Sequence, residues 1–165
     1  MQTQKDNSAY NKAVAENLIH LLGNGNAHAS LDKALEGIPF SLLGERPHGL
    51  PYSIWQLAEH IRIAQSDILE FSRNAEHVSP EWPDGYWPQE LKPSSEAIWK
   101  NCVDAIKADG KAFIDLIENA GDSLYKVFKH GDGQTLLKEA LVLADHNSYH
   151  TGEIIIIRRL LNAWK

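Results

Sequence analysis

Two histidines four residues apart, His146 and His150 in the run HNSYH, and a third, His60, far upstream are the residues best placed for chemistry. Residues four apart on an α-helix lie about 40° apart around the axis and roughly 6 Å apart along it, so both imidazoles face the same way. Two such rings can hold one divalent cation, and a ring from another helix would complete a three-histidine face. Three protein ligands with a fourth position open is the arrangement of a catalytic zinc-type site, not of a closed structural one.

Several other metal chemistries do not fit. The pair is not HExxH, so the glutamate base of zinc peptidases is missing. No glutamate stands three residues before His60, His146 or His150, which removes the di-iron bundle pattern. Cys-x-x-Cys, P-loop and GxSxG patterns are absent. Glu153, three residues beyond His150, could accept a bond from outside the ligand shell or act as a base through water, but an ordinary polar position is the expectation. Asp145 and Glu59 each precede a histidine and point about 100° away from it, as solvated charges would. His20 lies off an apolar stripe, and His28, His48, His77 and His130 fall in expected loops, so all five read as solvated side chains.

Four long helical patterns must position the three rings. The first starts after Asp6 or Asn7, carries Tyr10, Ala13, Val14, Leu18, Leu21 and Leu22 at three- and four-residue steps, and stops at Gly23-Asn24-Gly25. A short helix follows from Ser30 to Glu36, closed by Gly37 and Pro39. The second long helix opens on the capping box Ser53 to Gln56, with a stripe of Leu57, Ile61, Ala64, Ile68 and Phe71; His60 falls at its edge. The third begins after Pro93-Ser94 and ends near Gly121, with Gly110 weakening its middle. The fourth runs from near Thr135 to about Trp164. Its β-branched run Ile154–Ile157 stays helical, because the chain offers no partner strand. The all-round apolarity of this run points to burial on more than one side and to contact with a second subunit.

The expected fold is therefore all-α, an up-and-down four-helix bundle with a short additional helix. In such a bundle the second and fourth long helices run the same way. Depths of ~10 Å for His60 and ~16 Å for His146 then place the rings about one turn apart. Segments 37–52 and 121–134 become the expected walls of a pocket. The aromatic segment 77–93, with Trp82, Tyr86, Trp87 and four prolines, starts from the opposite end and reaches the site only by folding back.

The composition bounds the rest. A chain of 165 residues with 43% hydrophobic content and five tryptophans fits a single packed domain over residues 1–165. The net charge of −6 opposes nucleic-acid binding, which rests on Lys and Arg contacts to phosphate. Cys102 is the sole cysteine, so no disulfide forms within the chain. The first residues lack the basic patch and apolar run of a signal peptide, and no segment approaches the ~20 apolar residues of a membrane span. A cytoplasmic protein without a membrane partner is expected.

The runs LPYSIWQLAEHIRIAQSDIL around His60 and LVLADHNSYHTGEIIII around His146 and His150 resemble the DinB/YfiT-like superfamily. The resemblance spans nearly the whole chain. It implies a four-helix bundle, commonly a homodimer, with His60, His146 and His150 binding a divalent metal ion, zinc or nickel. Glu153 departs from the pattern, standing where the family usually has glutamine. Relatives include metal-dependent transferases and isomerases that use low-molecular-weight thiols. A thiol S-transferase acting on an electrophilic substrate is thus the leading expectation. A metal-dependent hydrolase and a non-enzymatic metal-binding or interaction bundle are the alternatives, and a nucleic-acid binder comes last. Because a coordinating imidazole must be neutral, metal affinity is expected to fall below the reference histidine pKa of about 6.5.

Overall fold

The computed structural model describes residues 2–24 and 27–164, with side chains for 9–23 and 27–164. Five α-helices follow one another: α1 (Gln2–Asn24), α2 (Leu31–Leu35), α3 (Ile54–Arg73), α4 (Glu96–Glu118) and α5 (Leu136–Leu160), joined by 3-10 turns and irregular segments. The all-helical bundle with one short extra helix is as expected. Helix boundaries follow the caps. Ser30, Ser95 and Thr135 each accept the amide three residues on, and Ser53 and Gln56 form the reciprocal capping box at the head of α3. Gly37, at φ +66°, closes the segment after α2 in a conformation that side-chain-bearing residues avoid.

Two boundaries differ from expectation. The first helix begins at Gln2 because residues 2–7 contain neither glycine nor proline, so nothing breaks the pattern ahead of Asp6. The last helix stops at Leu160 instead of near Trp164. Asn162 adopts φ +55°, and the amides of Ala163 and Asn162 fold back onto the carbonyls of Arg158 and Arg159. That is the Schellman ending, with asparagine in the left-handed position.

The interior divides into two apolar clusters, which fix the direction of each helix. Ile54, Leu57 and Ile61 at the start of α3 pack with Ile154 and Ile157 at the end of α5. Leu69, near the end of α3, packs with Leu136, Ala140 and Leu143 at the start of α5. Thus α3 and α5 run antiparallel, not in the same direction as expected. The early parts of α3 and α4 meet through Cys102 and Ile106, and their later parts through Phe113 and Ile117, so these two helices are parallel. The physical reason lies in segment 74–95. Short loops make antiparallel neighbours, whereas this segment is long enough to carry the chain back along α3 before α4 starts.

In α1 the buried positions are also rotated from the expected stripe. Leu18 is buried and packs with Val14, Ala15, Ile19 and Leu22, while Tyr10 and Leu21 are exposed. Gly110 does not interrupt α4. It lies opposite Gln65, whose amide donates to the Ile106 carbonyl at 2.5 Å.

Candidate metal centre

His60 stands two turns into α3, and His146 and His150 share one face of the middle of α5. Antiparallel packing brings them together from opposite ends. The Nε2 atoms of His60 and His146 are 2.9 Å apart, and one ring nitrogen from each of the three histidines lies within 4.8 Å of the other two. Among the described residues these three form the one group of histidine, cysteine or carboxylate side chains close enough to hold an ion together. Zinc–imidazole bonds of about 2.0–2.1 Å would put tetrahedral ligands roughly 3.3 Å apart, inside this range.

Each ring is oriented by a partner on its other side. His60 Nδ1 donates to the Tyr86 carbonyl at 2.9 Å, which leaves Nε2 as the lone-pair nitrogen. His150 Nδ1 donates to the Glu153 carboxylate at 2.6 Å, so its Nε2 is also free to coordinate. His146 Nδ1 lies 3.3 Å from the Asn147 amide oxygen, and Asn147 is itself held by Gln65 at 2.9 Å. Such outer partners fix tautomer and ring angle and raise ligand basicity. Two imidazole lone pairs facing each other at 2.9 Å repel unless a proton or a cation lies between them. The donor set therefore fits a divalent ion that accepts nitrogen ligands.

Burial sets the protonation of the site. It lowers His60, and the neighbouring His146 adds to the effect while the Tyr86 carbonyl opposes it. Burial and then His150 lower His146. Burial and then His60 push His150 down to about 4. Burial raises Glu153. Burial keeps the His150 ring neutral, so its 2.6 Å contact with Glu153 is an imidazole N–H donating to the carboxylate. Neutral rings are what coordination requires.

The surroundings correct several expectations. His60 is 4% exposed, not at a core edge, because segment 77–93 folds back over it. The Trp87 indole stacks on the His60 ring at 3.9 Å between centroids, and Tyr52 stacks on the other face of Trp87 at 4.0 Å. Of the expected walls, segment 37–52 contributes Tyr52. Segment 121–134 lies at the other end of the bundle, where Leu124 and Phe128 join the lower cluster and His130 bonds the Phe71 carbonyl. Glu153 is not an ordinary surface position but a partner of His150. His77 is not solvated, since it bonds Asp67 at 2.7 Å, whereas His28 stays exposed as expected while touching Ser148 at 2.8 Å. Sequence reasoning passed over Asn147, and it placed Tyr86 and Trp87 in a segment that could reach the site only by folding back, as it does. The signal there was three large aromatic residues in a segment otherwise marked as a loop.

Glu153→Ala is expected to weaken zinc affinity roughly 10- to 100-fold, the usual effect of losing a histidine's outer partner. Glu153→Gln, which keeps an acceptor for His150 Nδ1, should lie within about 10-fold of the parent. Competition with a chromophoric chelator measures both. Equal affinities for the alanine variant and the parent would show that Glu153 does not support the ligand.

The chain matches none of the curated proteins and none of the solved structures with which it was compared. A family model does match, over residues 26–154, a span that contains α2 to most of α5 and all three histidines. With the helical bundle and the histidine cluster already in place, that match assigns the fold's lineage: the chain belongs to the DinB superfamily.

Proposed function

We propose that His60, His146 and His150 hold a divalent metal ion, zinc or nickel, and that the protein is an enzyme transferring a low-molecular-weight thiol to an electrophilic substrate. The observation that carries this reading is the convergence of three ring nitrogens within 4.8 Å, each ring held by a partner on its far side. A divalent cation in such a site ionises a bound thiol at neutral pH, which makes it a nucleophile. The chain's own residues do the rest. The three imidazoles would hold the cation, and Glu153 keeps His150 in the coordinating tautomer. The Tyr52–Trp87 stack covers the His60 side and keeps water from it.

Thiol transfer is favoured over hydrolysis by how the carboxylate that contacts the ligand set is used. Glu153 Oε2 is taken up by His150 at 2.6 Å, which leaves a single oxygen, Oε1, for any work on a water. A thiol bound to a cation would lose its proton to solvent at neutral pH and would need no such base. The reading is tested with metal-loaded protein, small thiols and a model electrophile. Product should form only with thiol and metal present, and His150→Ala should abolish it. Unchanged turnover in that variant, or equal product without thiol, rejects the transferase.

The same proposal places the protein in the cytoplasm, where thiols are kept reduced, and makes it a homodimer. No described helix is long and apolar enough to cross a membrane. Support for the dimer comes from the outer face of α5, where Val142, Tyr149, Ile156 and Leu160 are all exposed. Sedimentation should give a dimer, and Ile156→Glu a monomer. A parent protein that sediments as a monomer at micromolar concentration removes this part.

A further inference from the structure

The strap that covers His60 is itself held down by a single carboxylate. Asp67 lies seven residues after His60 and so on the same face of α3, two turns further along. Its Oδ2 accepts the Tyr86 hydroxyl at 2.6 Å, and its Oδ1 accepts from His77 Nε2 at 2.7 Å. The Asp67 side chain is 13% exposed and His77 19%, so both bonds are largely shielded from water. Between these two anchors the chain makes a tight turn. A Cβ on Gly85 would come within 2.8 Å of Pro80 Cβ, which leaves the turn little room to shift. Burial, with Asp67 alongside, pushes the Tyr86 hydroxyl up to about 12, so it remains a donor at any ordinary pH.

The backbone of the same Tyr86 touches the metal centre. Its carbonyl accepts the His60 Nδ1 proton at 2.9 Å, and the next residue, Trp87, lies flat on the His60 ring. One residue thus connects Asp67 through its side chain to His60 through its main chain.

We propose that Asp67 is a positioning residue for the three-histidine centre: by holding the Tyr86 hydroxyl and the His77 ring, it keeps the Tyr86 carbonyl on His60 Nδ1, so that His60 Nε2 presents its lone pair to His146 and His150. Only the consequence for metal binding rests on the function proposed above; the effect on the His60 tautomer does not. The far end of the strap is fixed independently. Ser53 Oγ donates to the Leu91 carbonyl at 2.6 Å, and a Cβ on Gly44 would meet Lys92 Cβ at 2.8 Å. Loss of Asp67 therefore frees segment 77–86 without releasing the whole connection, and the bundle should still fold.

The test uses the full chain with 15N-labelled histidine. Two-bond proton–nitrogen correlations on metal-free protein identify which nitrogen of His60 carries the proton. The parent should show it at Nδ1. Asp67→Ala, and Tyr86→Phe, which removes only the hydroxyl, should shift His60 to a mixture of tautomers while His150 stays unchanged. Zinc affinity should fall roughly 10- to 100-fold in Asp67→Ala. If His60 keeps its proton at Nδ1 in both variants, the proposal is overturned, even when thermal stability drops, because Asp67 would then be only a strap anchor. A tautomer shift in protein that binds no zinc in any form would uphold the role of Asp67 and reject the metal reading instead.

Discussion

Replacing His150 with alanine is expected to lower zinc affinity by more than about 100-fold, since loss of an outer partner alone costs 10- to 100-fold and this change removes a donor atom. His150 is 8% exposed, and among the described residues no other histidine, cysteine or carboxylate lies close enough to His60 and His146 to take its place. Its removal leaves His60 and His146, two ligands from two helices. A saturating ligand stabilises the form it binds: zinc at 100 times its dissociation constant should raise the parent's stability by about 2.7 kcal/mol. That increment should vanish in the variant. His130→Ala is the control, because His130 bonds the Phe71 carbonyl at the opposite end of the bundle and should leave zinc affinity unchanged. A chelator competition that returned the parent's affinity for His150→Ala would remove the three-histidine centre altogether.

The local features of this site were legible because they depend on neighbours in sequence. The four-residue spacing of His146 and His150 dictates a shared helical face whatever surrounds it. The capping box at Ser53 and Gln56 is equally local, and it sets the register from which His60 is counted. The direction of α5 relative to α3 is not local. An apolar stripe states that a face will be covered but not by which helix or from which end, so a parallel pair and an antiparallel pair read alike. His60 meets the HxxxH pair in either arrangement, which is why the same three residues converge although the helix direction differs from expectation.

The strap shows the same limit more sharply. Trp87 and Tyr86 are apolar enough to require cover, yet what brings them to His60 is a set of contacts between distant positions. Asp67 with Tyr86 and His77, and Ser53 with Leu91, each join α3 to a segment many residues later. Glu153 was legible as a position near His150 and not as its partner. Three residues along a helix allow contact, but burial of the His150 face decides that the carboxylate turns inward. The exposed Tyr10 makes the converse point. Its spacing fits the apolar stripe of α1, but the helix turns Val14, Ala15 and Leu18 toward α4 and α5 instead.

Acid should weaken the metal-free protein across a window set by its buried histidines. In the unfolded chain histidine takes up a proton near pH 6.5, whereas in the fold burial lowers all three rings, His150 to about 4. Between those values the unfolded state binds more protons than the native state, so stability rises with pH there. The contribution is fully present above about 6.5 and is lost as pH falls through the folded values. The lowering of His150 to about 4 corresponds to a loss on the order of 3 kcal/mol between pH 6.5 and 4, and the lowered His60 and His146 act in the same direction. Zinc competes with protons for the same nitrogen lone pairs. Because burial lowers all three rings in the fold, its affinity should begin to fall only well below the pH 6.5 expected from the free imidazole, and the loaded protein should hold its melting temperature further into acid than the stripped one. A triple variant, His60→Gln, His146→Gln and His150→Gln, removes these protons from the balance and should flatten the stability profile over that window. The check is denaturant unfolding at successive pH values for parent and variant, both stripped of metal. Parallel profiles for the two proteins would show that the three rings do not titrate as buried groups, and with that the shielded, neutral character of the site would be lost.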